Sequence, residues 1–233
     1  MRVATSAAAC LLSFGVALGL NAESFAAPPT QADEAAAIPL FNGENLDGWY
    51  VCLSYPDGSD PSVDTKGIFT VKDGVIRASG EVFGCLTTEK EYENYRLSFE
   101  FKWGEKKWPP RENAIRDAGV LVHKVGPDKV WPRSIECQIQ EGDCGDFYIL
   151  DGITLDIDGK AVTGFHKKSA DHEKPHGEWN TVEVVCDGGD VTNIINGHVV
   201  NHGSNATERK GKIILQSEGA EIFYRNVKLT PLK

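Results

Sequence analysis

Apolar and polar residues alternate singly along most of this chain. In YRLSFEFKW (95–103), Leu97, Phe99, Phe101 and Trp103 fall on one side and Arg96, Ser98, Glu100 and Lys102 on the other. Successive strand side chains point to opposite faces, so the spacing predicts a strand with one face in a core. SIECQIQEGDCGDFYIL (134–150) begins the same way, with Ile135, Cys137 and Ile139 opposed to Glu136, Gln138 and Gln140. DAGVLVHKV (117–125), WNTVEVVC (179–186), GKIILQS and EIFYRNVKL (within 211–229) add further strands. Asp73-Gly74 and Asn196-Gly197 sit between β-rich runs, where they predict hairpins. Two loops interrupt the series, 104–116 with Pro109-Pro110, and 164–178. Short strands separated by turn residues predict an all-β, two-sheet antiparallel sandwich or barrel. No βαβ rhythm, P-loop or dinucleotide fingerprint occurs, which removes Rossmann domains and kinases.

The N-terminus has a different pattern. Arg2 is followed by the apolar run AAACLLSFGVALGL and then by small residues in NAESFAAPP. That order predicts a secretory signal over 1–27. A polar, Ala-rich tether (28–37) follows, and a single folded body is expected over 38–233. The expected location is therefore periplasmic or secreted, with no membrane span in the mature chain. The formal net charge is −10, without a basic block, which argues against nucleic acid or an anionic membrane as partner. Beyond the leader's Cys10 there are five cysteines: Cys52, Cys85, Cys137, Cys144 and Cys186. Cys137 and Cys144 flank an expected turn and can bridge. Buried free thiols fit Cys137 and Cys186 equally well. No CxxC spacing points to structural zinc.

Three strands carry polar outer faces: Glu136, Gln138 and Gln140; Asp117, Gly119, Leu121 and His123; and Lys212, Ile214, Gln216 and Glu218. In one sheet they would line one surface of carboxylates, carboxamides and an imidazole. Such planar hydrogen-bonding groups suit a polyhydroxylated ligand, with Trp108 and Trp131 as aromatic platforms from the loops. A solvated sheet face has the same alternation, so both readings stand. His166, His172 and His176 share one loop; Lys174-Pro175 breaks the helical spacing that a metal pair would need. Asp151, Asp156 and Asp158 resemble a calcium loop only loosely, and Asp158-Gly159 suits a turn. A divalent metal is left open.

Four stretches in order carry a resemblance: IPLFNGENLDGW (38–49); DAGVLVH (117–123) with SIECQIQEGDCGDFY (134–148); KPHGEWNTVEV (174–184); and GKIILQSEGAEIFYRNVKL (211–229). Together they resemble the 3-keto-disaccharide hydrolase family, from Ile38 to Leu229. The resemblance implies a concanavalin A-like jelly roll with a concave binding face. It also implies an oligosaccharide or glycoside substrate. Glu136 and Gln138 fall on the family's cleft residues. Asp117 replaces the usual Asn, Ala118 the usual Ser, and His123 stands where Arg is common. A 3-keto sugar has an acidified C2 proton, and its C1 oxygen leaves by elimination before water adds. That chemistry needs a base near C2, an electrophile at the C3 oxygen and a clamp on the ring. The resemblance implies His123 or Glu136 as base or metal ligand, Gln138 as ring clamp and Asp117 as orienting carboxylate. Gln140, Gln216, Trp108 and Trp131 are expected to contact sugar, and His166 to complete the site if its loop folds over. Two other readings suit the same face: a lectin-type module that binds without cleaving, and a two-carboxylate glycosidase.

Overall fold

The structure is a computed structural model and describes residues 36–233. The expected leader over 1–27 and most of the tether lie outside the described residues. Within 36–233 the chain forms 17 strands and no helix. None of the described segments is a helix long and apolar enough to cross a membrane.

Two antiparallel sheets pack face to face as a jelly-roll sandwich. One runs His198–Gly203, Asp190–Ile195, Asn180–Asp187, Tyr95–Lys107, Ala220–Pro231, Val75–Ala78 and Phe69–Lys72, with Ile38–Pro39 added beside Ala220–Pro231. The other runs Gly164–His166, Phe147–Ile149, Arg133–Gln138, Gly119–Val125, Lys212–Ser217, Gly84–Thr88 and Trp49–Leu53. A small hairpin, Leu155–Ile157 with Lys160–Val162, turns at Asp158-Gly159. The predicted hairpins at Asp73-Gly74 and Asn196-Gly197 form, and all four turn residues have positive φ.

The core lies between the sheets. Phe99, Phe101, Tyr224 and Ile222 from one sheet meet Val120, Val122, Ile135 and Leu215 from the other. Every second residue of these strands therefore faces away from the core. In the second sheet that outward face carries the polar rows read from the sequence. Cys137, Cys144 and Cys186 are buried in the core as free thiols, and the described cysteines form no disulfide.

Candidate active site

Cross-strand register fixes which residues share the outward face of the second sheet. Leu121 pairs with Glu136, and Glu136 with Tyr148. Tyr148 pairs in turn with Phe165, and Gly119 with Gln138. Opposed residues of an antiparallel pair project to the same side, so Glu136, Tyr148 and Phe165 form one row. The row opens on a cleft of about 200 Å³. Glu136, Gln138, Tyr148 and Leu150 make its floor, and Arg111, Asp117, Trp131 and Glu218 its walls.

Glu136 is buried on the cleft floor. Its residue is 3 % exposed, and no described side chain hydrogen-bonds to its carboxyl group. Gly119, on the adjacent strand, makes the room for it. A Cβ on Gly119 would collide with Glu136 Oε1 and approach Gln216 Oε1. Gln216 Oε1 is itself buried without a hydrogen-bond partner. Two oxygens thus share the space above one glycine, an arrangement that favours a proton on Glu136. Burial drives the Glu136 carboxyl well above the usual carboxylate range, and the nearby charges of Glu218 and Asp117 add to the rise.

Arg111 is the cation of the site. It forms ion pairs with Asp117 and, at 2.9 Å, with Glu218 Oε1. Gln140 Nε2 donates to Asp117 Oδ2 at 2.8 Å. Burial nevertheless raises Asp117, against the pull of Arg111 and Gln140. Burial, together with the charge of Asp117, pushes Glu218 up to about 8 in spite of Arg111. The cleft holds three carboxyl groups, and its one guanidinium pairs with two of them, so the cleft retains a proton near neutral pH.

The loop that brings Arg111 is fastened by two devices. Trp108 donates its backbone N–H to the Gly219 carbonyl and its ring N–H to the Ser79 carbonyl. Gly219 has φ +83°, and a Cβ there would press on the Arg111 side chain at 2.9 Å. The glycine after Glu218 thus has both a backbone reason and a packing reason.

Several expected site residues lie elsewhere. His123 does not enter the cleft. Strand register slips between Val122 and Val125, and His123 takes φ +55° at this irregularity. Its ring lies edge-on to Tyr95 at 6.2 Å, and burial pushes its imidazole down to about 4. His166 pairs with Phe147, a core residue, so parity turns it from the cleft and presents Phe165 instead. Trp108 is a loop fastener and does not line the cleft. Gln216 is fully buried and holds the Val130 carbonyl, which anchors the loop bearing Trp131. Gln140 orients Asp117. Gln138 does face the cleft. Its Oε1 accepts from the backbone N–H groups of Ile139 and Gln140, leaving its NH₂ group for a ligand. Trp131 forms a wall and meets Phe83 edge-on at 6.1 Å.

His176 contacts Glu105 and Glu141, and His172 stacks on His198 at 3.9 Å. Among the described residues no group of three or more His, Cys, Asp or Glu side chains is arranged to hold a metal ion. In the cleft, the Arg111 guanidinium lies between two of the three carboxyl groups, where a cation would otherwise sit.

Solved structures with the same fold include carbohydrate-related proteins. A candidate glycosyl hydrolase from Parabacteroides distasonis is 23 % identical, with a TM-score of 0.60 over 83 % of this chain and 93 % of that one. A carbohydrate-binding module from Bacillus subtilis is 9 % identical, with a TM-score of 0.54 over 77 % and 93 %. The β-glucanase of Bacillus licheniformis is 12 % identical, with a TM-score of 0.52 over 85 % and 99 %. At such identities the likeness establishes the jelly-roll fold alone. No curated protein matches the chain. The decisive match is to a family model that spans residues 36–230. The chain belongs to the 3-keto-alpha-glucoside-1,2-lyase-like domain family.

Proposed function

We propose that this protein cleaves glycosides oxidised at C3, by elimination across C2 and C1 followed by addition of water. The observation that carries the reading is the cluster of Asp117, Glu136 and Glu218 around the single cation Arg111, with raised proton affinity. A site that only binds sugar does not need carboxyl groups poised to hold and release protons.

Each group has a role that suits its environment. Glu136, unpaired and buried, stays neutral and donates its proton in a hydrogen bond to the C3 oxygen, where enolate charge develops. Glu218, near 8, accepts the C2 proton as base. The C1–O bond then breaks as the electron pair forms C1=C2, and Glu218 returns the proton to the departing oxygen. Water adds at C1 and a proton returns to C2, which completes hydrolysis with Glu218 ionised again. Arg111 and Asp117 hold Glu218 in place, and the Gln138 NH₂ group clamps a ring hydroxyl. Strands lie about 4.8 Å apart, so Tyr148 and Phe165 stand one and two strands beyond Glu136. There they form a platform for the ring on the leaving side.

The test is turnover of a 3-keto-glucoside and of its unoxidised parent by the purified protein, with and without a chelator. Cleavage of the keto sugar alone, unaffected by chelator, is the expected result. Cleavage of the parent would replace elimination by two-carboxylate hydrolysis. Loss of activity with chelator would place a metal in the reaction. Glycan binding without turnover of either sugar would make the cleft a lectin-type site.

A further inference from the structure

The outer face of the first sheet holds a second groove, of about 310 Å³, with the sheet and its core between it and the cleft. Register assembles it. Lys102 pairs with Phe223, Phe223 with Arg77, and Arg77 with Thr70. Their chain neighbours Phe101, Trp103, Ile222, Tyr224, Ile76 and Ala78 fill the core, so this row projects outward. Trp179 closes one end, and the Lys72–Asp73 hairpin the other.

Two features characterise this groove. The first is its charge. The chain carries a formal −10, yet the groove is lined by Lys72, Arg77 and Lys102 against one carboxylate, Asp73. Arg77 is paired with Glu221 at 2.7 Å. Lys72 and Lys102 form no ion pair among the described residues. The second is its aromatic walls. Lys102 Nζ lies 5.1 Å from the centroid of Trp179 and 5.6 Å from that of Phe223. An ammonium between two aromatic rings gives an incoming anion a fixed, partly desolvated partner beside apolar surface.

We infer that this groove binds an acidic saccharide, a uronate-bearing oligosaccharide, independently of the cleft. A uronate has what the walls ask for. Its carboxylate meets Lys102 and Lys72, its C–H face lies on Phe223 and the edge of Trp179, and its hydroxyls reach Asp73 and Thr70. An aromatic acid would leave the hydroxyl-binding groups unused, and a neutral sugar would leave both lysines unpaired. The site would hold the protein on an acidic polysaccharide while the cleft stays free.

The experiment is calorimetric titration of the purified protein with trigalacturonate and with cellotriose, at low salt and at roughly 0.5 M salt, where the Debye length is only a few ångströms. Trigalacturonate is expected to bind at low salt and to weaken at high salt, with cellotriose about tenfold weaker or worse, the equivalent of one lost charged contact. Lys102→Glu and, as a second variant on the exposed hairpin, Lys72→Glu should each weaken trigalacturonate about tenfold or more. Glu136→Gln, in the cleft, should leave that affinity unchanged. The inference is overturned if the wild-type protein does not bind trigalacturonate or binds cellotriose equally well. It is also overturned if both lysine variants bind normally, or if Glu136→Gln abolishes binding. None of these outcomes depends on whether the cleft turns over a keto sugar.

Discussion

The Glu136 carboxyl group occupies the space that a side chain on Gly119 would fill. Gly119 is an ordinary strand residue with no left-handed torsion, so its role is volume and not backbone freedom. Gly119→Ala should therefore push Glu136 and Gln216 from their places. Overpacking of this kind costs about 1–3 kcal/mol. The variant should fold with a lower Tm, and its kcat on a keto-glucoside should fall about a hundredfold, because displacement by a single ångström has that effect. Thermal melts and steady-state kinetics on the same sample check both. A variant with normal kcat would show that the position of Glu136 does not matter for turnover.

Proton affinity makes the stability of the site depend on pH in a fixed direction. Glu136 has an ordinary value of 4.5 in the unfolded chain and lies well above it when folded. The folded state then binds more protons than the unfolded state above pH 4.5, and stability falls as pH rises. Glu136→Gln removes this cost while keeping a neutral donor of the same shape. The variant should match the wild type near pH 4 and become the more stable protein as pH rises to 8. The gap should grow by up to about 1.4 kcal/mol for each pH unit. Denaturant unfolding of both proteins at several pH values measures it, and a constant gap would mean that Glu136 ionises normally.

Arg111 restrains the base. It pairs with Glu218 at 2.9 Å and also with Asp117. In the wild type kcat/KM should climb with pH as Glu218 ionises, levelling above about 8. Arg111→Gln removes the cation that favours the ionised form, so the climb should move to higher pH. The rate at pH 7 should drop at least tenfold, since a shift of one unit depletes the ionised form by that factor. A pH–rate profile of the variant with an unmoved midpoint would assign the titration to another group.

Much of the fold was legible because alternation and turn chemistry are local. The strands around Tyr95–Lys107, Gly119–Val125, Arg133–Gln138 and Asn180–Asp187 fall where the apolar period of two placed them. So do the hairpins at Asp73-Gly74 and Asn196-Gly197. The face bearing Glu136 and Gln138 was also legible, since parity from Ile135 and Cys137 fixes it. The misplaced residues share a physical cause. His123 follows a run that puts it on the cleft side by counting, but the slip between Val122 and Val125 reverses the count. Such a bulge depends on pairing with distant strands and leaves no mark in the local pattern. Arg111 was missed because it comes from an irregular loop, with no period to say where it points. The Gly after Glu218 was the one local signal that something packs closely there. Trp179 and Arg225, from the family-bearing stretches, stack at 3.9 Å on the sheet face away from the cleft. A stretch that marks the family can thus lie outside the catalytic cleft.

Parity also separates Phe165 from His166. Phe165 shares its face with Tyr148, and the two rings lie 5.3 Å apart at 54°. Phe165 remains 52 % exposed, which is unusual for a phenylalanine and leaves an apolar surface beside the cleft. Its removal should not disturb the core. Phe165→Ala should leave Tm unchanged and raise KM about tenfold for a substrate with a ring on the leaving side, the effect of losing about 1.4 kcal/mol of apolar contact. A methyl keto-glucoside, which lacks that ring, should be processed as by the wild type. His166→Ala should behave in the opposite way, with a lower Tm and unchanged KM, because its ring faces the core side with Phe147. Steady-state kinetics on the two substrates, paired with melts of both variants, decide the matter. Equal loss on both substrates would remove Phe165 from the leaving-group platform, and a raised KM in His166→Ala would return the histidine to the site.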